Sequence, residues 1–165
     1  MLYGISILYG LTGALDIYSV QAALAGGFAV NIHDWSFVAL VLSTVMILAG
    51  FGYKISAVPF HFWTPDVYEG APISVTAYLS VASKAAGFAV MIRFFYVTFF
   101  DSVIDPGRWT SLPLMDWNML IALLSVLTMT LGNIVAIWQD NLKRMLAYSS
   151  IAHAGYLMMG LVVMG

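Results

Sequence analysis

Two lysines stand where a chain poor in charge would be expected to avoid them. Lys54 closes the uncharged run from Trp35 to Tyr53, five residues before Pro59, and Lys84 lies inside the apolar stretch that begins at Ile73. An amine held in hydrocarbon costs about 2.5–3.5 kcal/mol on insertion scales and marks an ion or proton path more often than a packing accident. Lysine and histidine are side chains that can take up and release a proton, so the chemistry these residues suit is proton relay. Two histidines fall within reach of the same scheme. His61 follows the Pro59 break and suits either a helix cap or a relay step, and His153 suits either a hydrogen-bonded packing role or a relay step.

Depth decides how seriously each lysine is taken. Lys84 lies about 16 Å along its helix at about 1.5 Å per residue, near the middle of a hydrocarbon layer about 30 Å thick, and cannot snorkel out from there. Two readings stand for Lys54. If its helix simply ends near Val58, the amine is an anchor reaching the headgroups. However, Trp35 to Tyr68 spans 34 residues, roughly 50 Å as one helix, which is more than a straight span needs. A helix broken at Pro59, resuming through FHFWTPDVY, would leave Lys54 nearer mid-depth, at a half-helix C-terminus whose dipole favours a cation. If the two amines lie about 7 Å apart, they repel by about 2.4 kcal/mol at an effective dielectric of about 20, enough to bias where a shared proton resides.

The elements that must hold these groups follow from composition. Of 165 residues 62% are hydrophobic and 8% charged, and the mean hydropathy is +0.93, against about a quarter charged in an ordinary globular domain. This predicts an all-α, polytopic transmembrane helix bundle with one broken helix, forming a single membrane domain. The uncharged runs and Gly/Pro punctuation divide it into a partial helix (1–15), an outer linker with a short amphipathic helix (16–34), the broken helix (35–68) hinged at Pro59, a helix (73–100), an outer loop (101–116), and helices at 117–139 and 145–165. Met1 to Leu15 lacks the basic start and cleavage site of a signal peptide, and is too short to span. It reads as the latter part of a helix, so the chain is expected to be a fragment. Lys143 and Arg144 form the basic pair that places their loop, and with it the segment from Pro59 to Pro72, on the cytoplasmic side.

Helical spacing puts Thr76, Ser80, Ser83, Lys84 and Gly87 on one stripe of the third helix, with Tyr78, Phe88 and Phe95 away from it, and puts Ser149, His153, Tyr156 and Gly160 on one stripe of the last. Such small and hydroxylated stripes let helices approach closely and hold hydrogen bonds. The absence of cysteine removes a disulfide framework, a thiolate metal site and an iron–sulfur cluster supplied by this chain. A net charge of −2, thinly scattered, gives no nucleic-acid surface. His33, in the outer linker, reads as a surface residue, and the histidines lack metal-ligand spacing.

Three stretches carry a resemblance to a known family: VPFHFWTPDVYEGAP (Val58 to Pro72), the Ser83–Lys84 pair, and NLKRMLAYSSIAHAGYLMMG (Asn141 to Gly160). They resemble subunit N (subunit 2) of respiratory complex I, the NADH:quinone oxidoreductase. AYSSIAHAGY is shared with the L and M subunits and with Mrp-type antiporter subunits, whereas WTPDVYEGAP and a lysine at position 84 point to subunit N. The resemblance implies part of a fourteen-helix antiporter-like fold, with Lys54 on the broken helix and Lys84 as the central relay. It also implies a subunit of a proton-translocating translocase of the respiratory chain, driven by quinone reduction elsewhere in the complex. By that pattern no cofactor sits in this chain; NADH, FMN, the iron–sulfur clusters and quinone belong to partner subunits. Other membrane subunits of complex I and the lipid bilayer are the implied partners. The implied location is an inner membrane, bacterial first, organellar or thylakoid otherwise. The glutamate that pairs with Lys54 and the outlet lysine fall outside this chain. Two rivals remain at this stage: an Mrp-type cation/proton antiporter subunit, and a membrane piece that packs without moving protons.

Overall fold

The computed structural model describes residues 1–25, 35–101, 110–111 and 117–163. It is an all-α membrane bundle, in which four helices of the described residues are long and apolar enough to cross a bilayer: Trp35–Ile55, Ile73–Phe99, Trp117–Ile137 and Leu142–Val163. The chain divides into two compact units. One holds 1–50 and 90–116, the other 51–89 and 117–164.

In the first unit, α1 (Leu2–Thr12) ends on Gly13 in the left-handed conformation, φ 69°. The Asp16 carboxylate accepts the Ser19 N–H at 3.1 Å and so caps the start of α2 (Ile17–Ala25). Val20 and Leu24 are buried, so this part of the expected outer linker contributes to the core. The rest of that linker, His33 included, lies outside the described residues. α1 is tied to the first part of α3 (Trp35–Ile55) by Ser43 Oγ, which donates to Gly4 O at 2.7 Å. A two-residue antiparallel pair, β1 (Phe100–Asp101) with β2 (Thr110–Ser111), begins on the last residue of the expected helix and runs into the expected outer loop; the remainder of that loop is outside the described residues.

The second unit contains the break. α3 stops at Ile55, three residues before the expected Val58, and the chain leaves the helix through Ser56 at φ 63°. The cause is Pro59, whose ring would clash with the carbonyl four residues earlier, that of Ile55, and whose predecessor avoids the helical region. α4 (Trp63–Gly70) then begins three residues later than the expected Phe60, with Pro65 in its first turn, where no backbone donor is missed. The hinge is therefore the whole stretch from Ser56 to Phe62, with Pro59 inside it.

Buried irregular backbone is stable only if its polar groups find partners. Here the Ala57 N–H donates to Gly52 O at 2.8 Å, the Phe60 N–H to Ala57 O at 2.7 Å, and Thr64 Oγ1 to Ser56 Oγ at 2.7 Å. The buried Val58 N–H donates to Thr128 Oγ1 at 3.0 Å, while that same hydroxyl donates to Leu124 O. Thr128→Val preserves shape but orphans the Val58 donor. The full-length protein carrying it is expected to lose about 1–3 kcal/mol of stability, read as a lower thermal unfolding midpoint in detergent; an unchanged midpoint would show that the break does not depend on this bond.

α5 (Ile73–Tyr78), a π-helical turn (Leu79–Ser83) and α6 (Lys84–Phe99) form one continuous span. α7 (Trp117–Ile137) and α8 (Leu142–Val163) pack against each other through small residues. A Cβ on Gly155 would lie 2.6 Å from Met129 N, and one on Gly132 would lie 2.7 Å from Ala152 N. Ser125 Oγ adds a bond to Gly155 O at 2.7 Å. This corrects the expected stripe, because Gly160 has nothing within 4 Å of its Cβ position; the close approach runs along the next face, one residue round.

α8 also begins three residues before the expected Met145. The Asn141 side-chain oxygen accepts the Lys143 N–H at 3.0 Å, an N-cap that draws Lys143 and Arg144 into the first turn.

Candidate functional site

Lys84 opens α6 directly after the π-helical turn, near the middle of the 27-residue span. One extra residue in that turn changes the register of everything after it, and Lys84 is only 6% exposed. Its Nζ donates to Ser150 Oγ at 2.6 Å and to Ser150 O at 3.1 Å, both on α8. The ammonium is thus held by two neutral oxygens, one of them a hydroxyl.

A cavity of about 670 Å³ opens beside this pair. Tyr68, Ser80, Lys84, Phe88, Ser150 and His153 are among its lining residues. Phe88, expected to lie away from the Lys84 stripe, lines the cavity with Lys84 and is buried. Four residues separate the two, which is one turn of the same helix face. Phe95 is buried as well.

His153 faces the cavity from α8, and its Nδ1 sits 2.7 Å from Ser149 O. A carbonyl can only accept, so Nδ1 carries the proton and Nε2 of the neutral ring is left able to accept one. The histidine remains exposed in this chain. Tyr156, on the same expected stripe, accepts from Asn133 Nδ2 at 2.6 Å.

His61 is placed elsewhere. It lies in the hinge, 3% exposed, with its ring 4.4 Å from Phe62 and edge-on to Tyr148 at 6.4 Å. Its carbonyl accepts the Thr64 N–H at 3.0 Å, and among the described residues its Nδ1 has no well-formed hydrogen bond. It is not among the residues that line the cavity with Lys84.

Lys54 is the basic residue of the last turn of α3 and is exposed. The aliphatic stem nevertheless has a fixed neighbour: a Cβ at Gly87 would lie 3.2 Å from Lys54 Cγ and 3.1 Å from Ile55 Cγ2. Gly87 is one turn beyond Lys84, so the end of α3 rests on the same stretch of helix that carries the second lysine. Gly87→Leu in the full-length protein is expected to cost about 1–3 kcal/mol by overpacking, seen as a lower unfolding midpoint. Gly87→Ala needs the stem to yield by only tenths of an ångström and should stay near wild type. Equal midpoints for the leucine variant and wild type would mean that Lys54 does not rest there.

The first and third sequence motifs also meet through charge. Arg144 pairs with Asp66 at 2.8 Å and with Glu69 at 2.9 Å. Asn141 Nδ2 donates to Glu69 Oε1, and Lys143 Nζ donates to Glu69 O at 3.1 Å and Ala71 O at 3.2 Å, at the C-terminal end of α4 where backbone carbonyls lack helical partners. The half-helix after the break is in this way fastened to α8, the helix whose Ser150 accepts from Lys84. Reading the sequence for buried lysines and histidines passed over Ser150, Tyr68 and these acids. A usable signal for the acids existed: Asp66 and Glu69 are spaced to face one partner on a helix, and Lys143 and Arg144 are the basic pair available to them.

A family model described as NADH:quinone oxidoreductase/Mrp antiporter, transmembrane, matches residues 1–165. A protein of Chloroherpeton thalassium named NADH-quinone oxidoreductase subunit N 2 is 53% identical over 164 residues, covering 99% of this chain and 30% of that protein. A chain of respiratory complex I from Thermus thermophilus, solved with bound aureothin, superposes with a TM-score of 0.64 at 36% identity, over 97% of this chain and 30% of that one. A chain of the Mrp complex from Dietzia sp. gives a TM-score of 0.74 at 22% identity, over 99% of this chain and 27% of its own, and shares the fold. The chain thus spans about 30% of the length of the relatives it matches.

Proposed function

This chain belongs to the NADH:quinone oxidoreductase/Mrp antiporter transmembrane family, and from that premise we propose that it is part of a proton-translocating membrane subunit of the subunit N kind. In this reading Lys54 holds a proton at the end of α3, water carries it to Lys84, and Lys84 passes it onward. Energy comes from quinone reduction in other subunits, and redox chemistry with NADH, FMN, iron–sulfur clusters and quinone takes place there. The other membrane subunits of complex I are its partners, and a bacterial inner membrane is its location.

The observation that carries this reading is Lys84 itself. A buried amine near the middle of a transmembrane span, held by Ser150 and open to a cavity, is costly for packing alone and suited to a group that gains and loses a proton. His153 is the further relay group that the cavity favours, because it lines the same space. His61 has a weaker place in the scheme, since it lies in the hinge and off that lining.

The cation/proton antiporter reading keeps the same lysines and replaces redox energy with an ion gradient; the fold shared with the Mrp chain favours it as the alternative. Membrane vesicles carrying the full-length protein with its native partners separate the two. Proton uptake that starts with NADH and a soluble quinone, and ignores an imposed sodium gradient, supports the redox-driven pump. Uptake driven by the sodium gradient in the absence of NADH would replace it with the antiporter.

A further inference from the structure

Tyr68, on α4, is 2% exposed, and among the described residues its hydroxyl is enclosed without a well-formed hydrogen bond. That is an expensive arrangement for a phenol unless the oxygen has a use, since buried polar atoms are almost always paired. The hydroxyl lies next to Ser150, the residue whose Oγ accepts from Lys84 at 2.6 Å. Tyr68, Ser150 and Lys84 all line the one cavity. α4 is held on both sides of Tyr68 by the Arg144 pairs to Asp66 and Glu69 and by the Lys143 bond to Glu69 O, so the position of the phenol is fixed independently of the lysine.

We propose that Ser150 and Tyr68 form a hydroxyl bridge through which Lys84 exchanges protons with water on the α4 side of the cavity. The proposal rests on the relay reading of Lys84 and names two participants that reading lacks. Charging neutral Lys84 takes one concerted shift. A hydronium ion that reaches Tyr68 Oη gives it a proton and is left as neutral water, the phenolic proton passes to Ser150 Oγ, and the serine proton passes to Lys84 Nζ. Each oxygen of the bridge gains one O–H bond as it loses another, so only the lysine and the donating hydronium change charge. Discharge runs the same steps backward. Serine suits the middle position because a hydroxyl accepts and donates at once, and tyrosine suits the outer one because its stiff ring holds the oxygen where a longer, flexible side chain would wander.

The test uses the full-length protein in its complex, in membrane vesicles, with NADH-driven proton uptake measured in H2O and D2O. Tyr68→Phe keeps the ring and removes the oxygen. It is expected to slow proton uptake by about five- to tenfold, within the range that a positioned proton-transfer group contributes, and to raise the solvent isotope effect as proton transfer becomes limiting. Ser150→Ala should behave alike, and Ser150→Thr, which restores a hydroxyl, should recover most of the rate. Uptake by Tyr68→Phe at the wild-type rate, or slowed with the isotope effect unchanged, overturns the bridge. A parallel Lys84→Met sample separates the two levels: if it is inactive while Tyr68→Phe is normal, the bridge falls and the relay stands, whereas full activity in Lys84→Met removes both. Should Ser150→Ala fail to assemble, the Tyr68→Phe result decides alone.

Discussion

Lys84→Met, placed in the full-length protein within its complex, is expected to lower proton pumping and electron transfer to quinone together, by about tenfold or more, with the complex still assembled. Methionine keeps the unbranched apolar stem of lysine and falls one atom short of its length, so it refills most of the same space. It removes the amine that now donates to Ser150 Oγ and Ser150 O. Ser150 is left near its helix and Tyr68 near Ser150, so packing changes little, and the loss falls on proton transfer, where a single positioned group contributes a hundredfold or so. Because pumping and redox chemistry are proposed to be coupled, the electron-transfer rate should fall with the proton rate. Pumping at the wild-type level would remove Lys84 from the relay. The check is simultaneous measurement of dye-reported proton uptake and NADH oxidation in vesicles, normalised to assembled complex.

The largest structural effect is expected from Gly155→Val. Its Cβ would fall 2.6 Å from Met129 N and 3.0 Å from Met129 Cα, backbone atoms that cannot swing aside, and the branched side chain adds two further carbons. α7 and α8 must then separate along the seam that also carries the Ser125 to Gly155 bond. The cost should reach about 3 kcal/mol or more, and the full-length variant should accumulate poorly and unfold at a lower temperature in detergent. Ser125→Ala, by contrast, removes one interhelical hydrogen bond and should cost about 1 kcal/mol or less. If the serine variant were the more damaging of the two, the seam would be held by hydrogen bonding and not by close backbone approach. Ser150, one turn before Ala154 on the same helix, depends on this seam for its position, so the glycine variant should also lose pumping.

What could be read from the sequence divides along physical lines. The helices were legible because long uncharged runs have one stable form in lipid, and Pro59 announced a break because proline cannot continue a helix. Where the break begins was not legible. Ser56, with its left-handed backbone, carries no local signal for that conformation and is held there by Thr64 and by the bonds of its neighbours. The start of α8 was missed because Lys143 and Arg144 look like a loop in a hydropathy pattern, while the Asn141 cap and the acids of α4 make them a first turn. Lys84 could be singled out by charge alone. Its partner could not: Ser149 and Ser150 are adjacent and equally polar, and helical spacing from His153 favours the first, whereas the lysine meets the second. Which of two neighbouring hydroxyls faces a lysine 66 positions away depends on the rotation of two helices, set by the π-helical turn in one and the Gly132 and Gly155 contacts in the other. Tyr68 was passed over for a similar reason, since its importance lies in a contact between motifs and not within one.

The claim on which the rest depends is that the Lys84 amine itself takes up and releases a proton during turnover. Difference infrared spectra of the full-length protein in its complex, with lysine labelled by 15N at the side-chain nitrogen, read this directly when NADH is added. The account predicts an N–H band that changes with turnover, shifts with the label and is absent from Lys84→Met. A lysine band that stays constant while the complex pumps protons would contradict it.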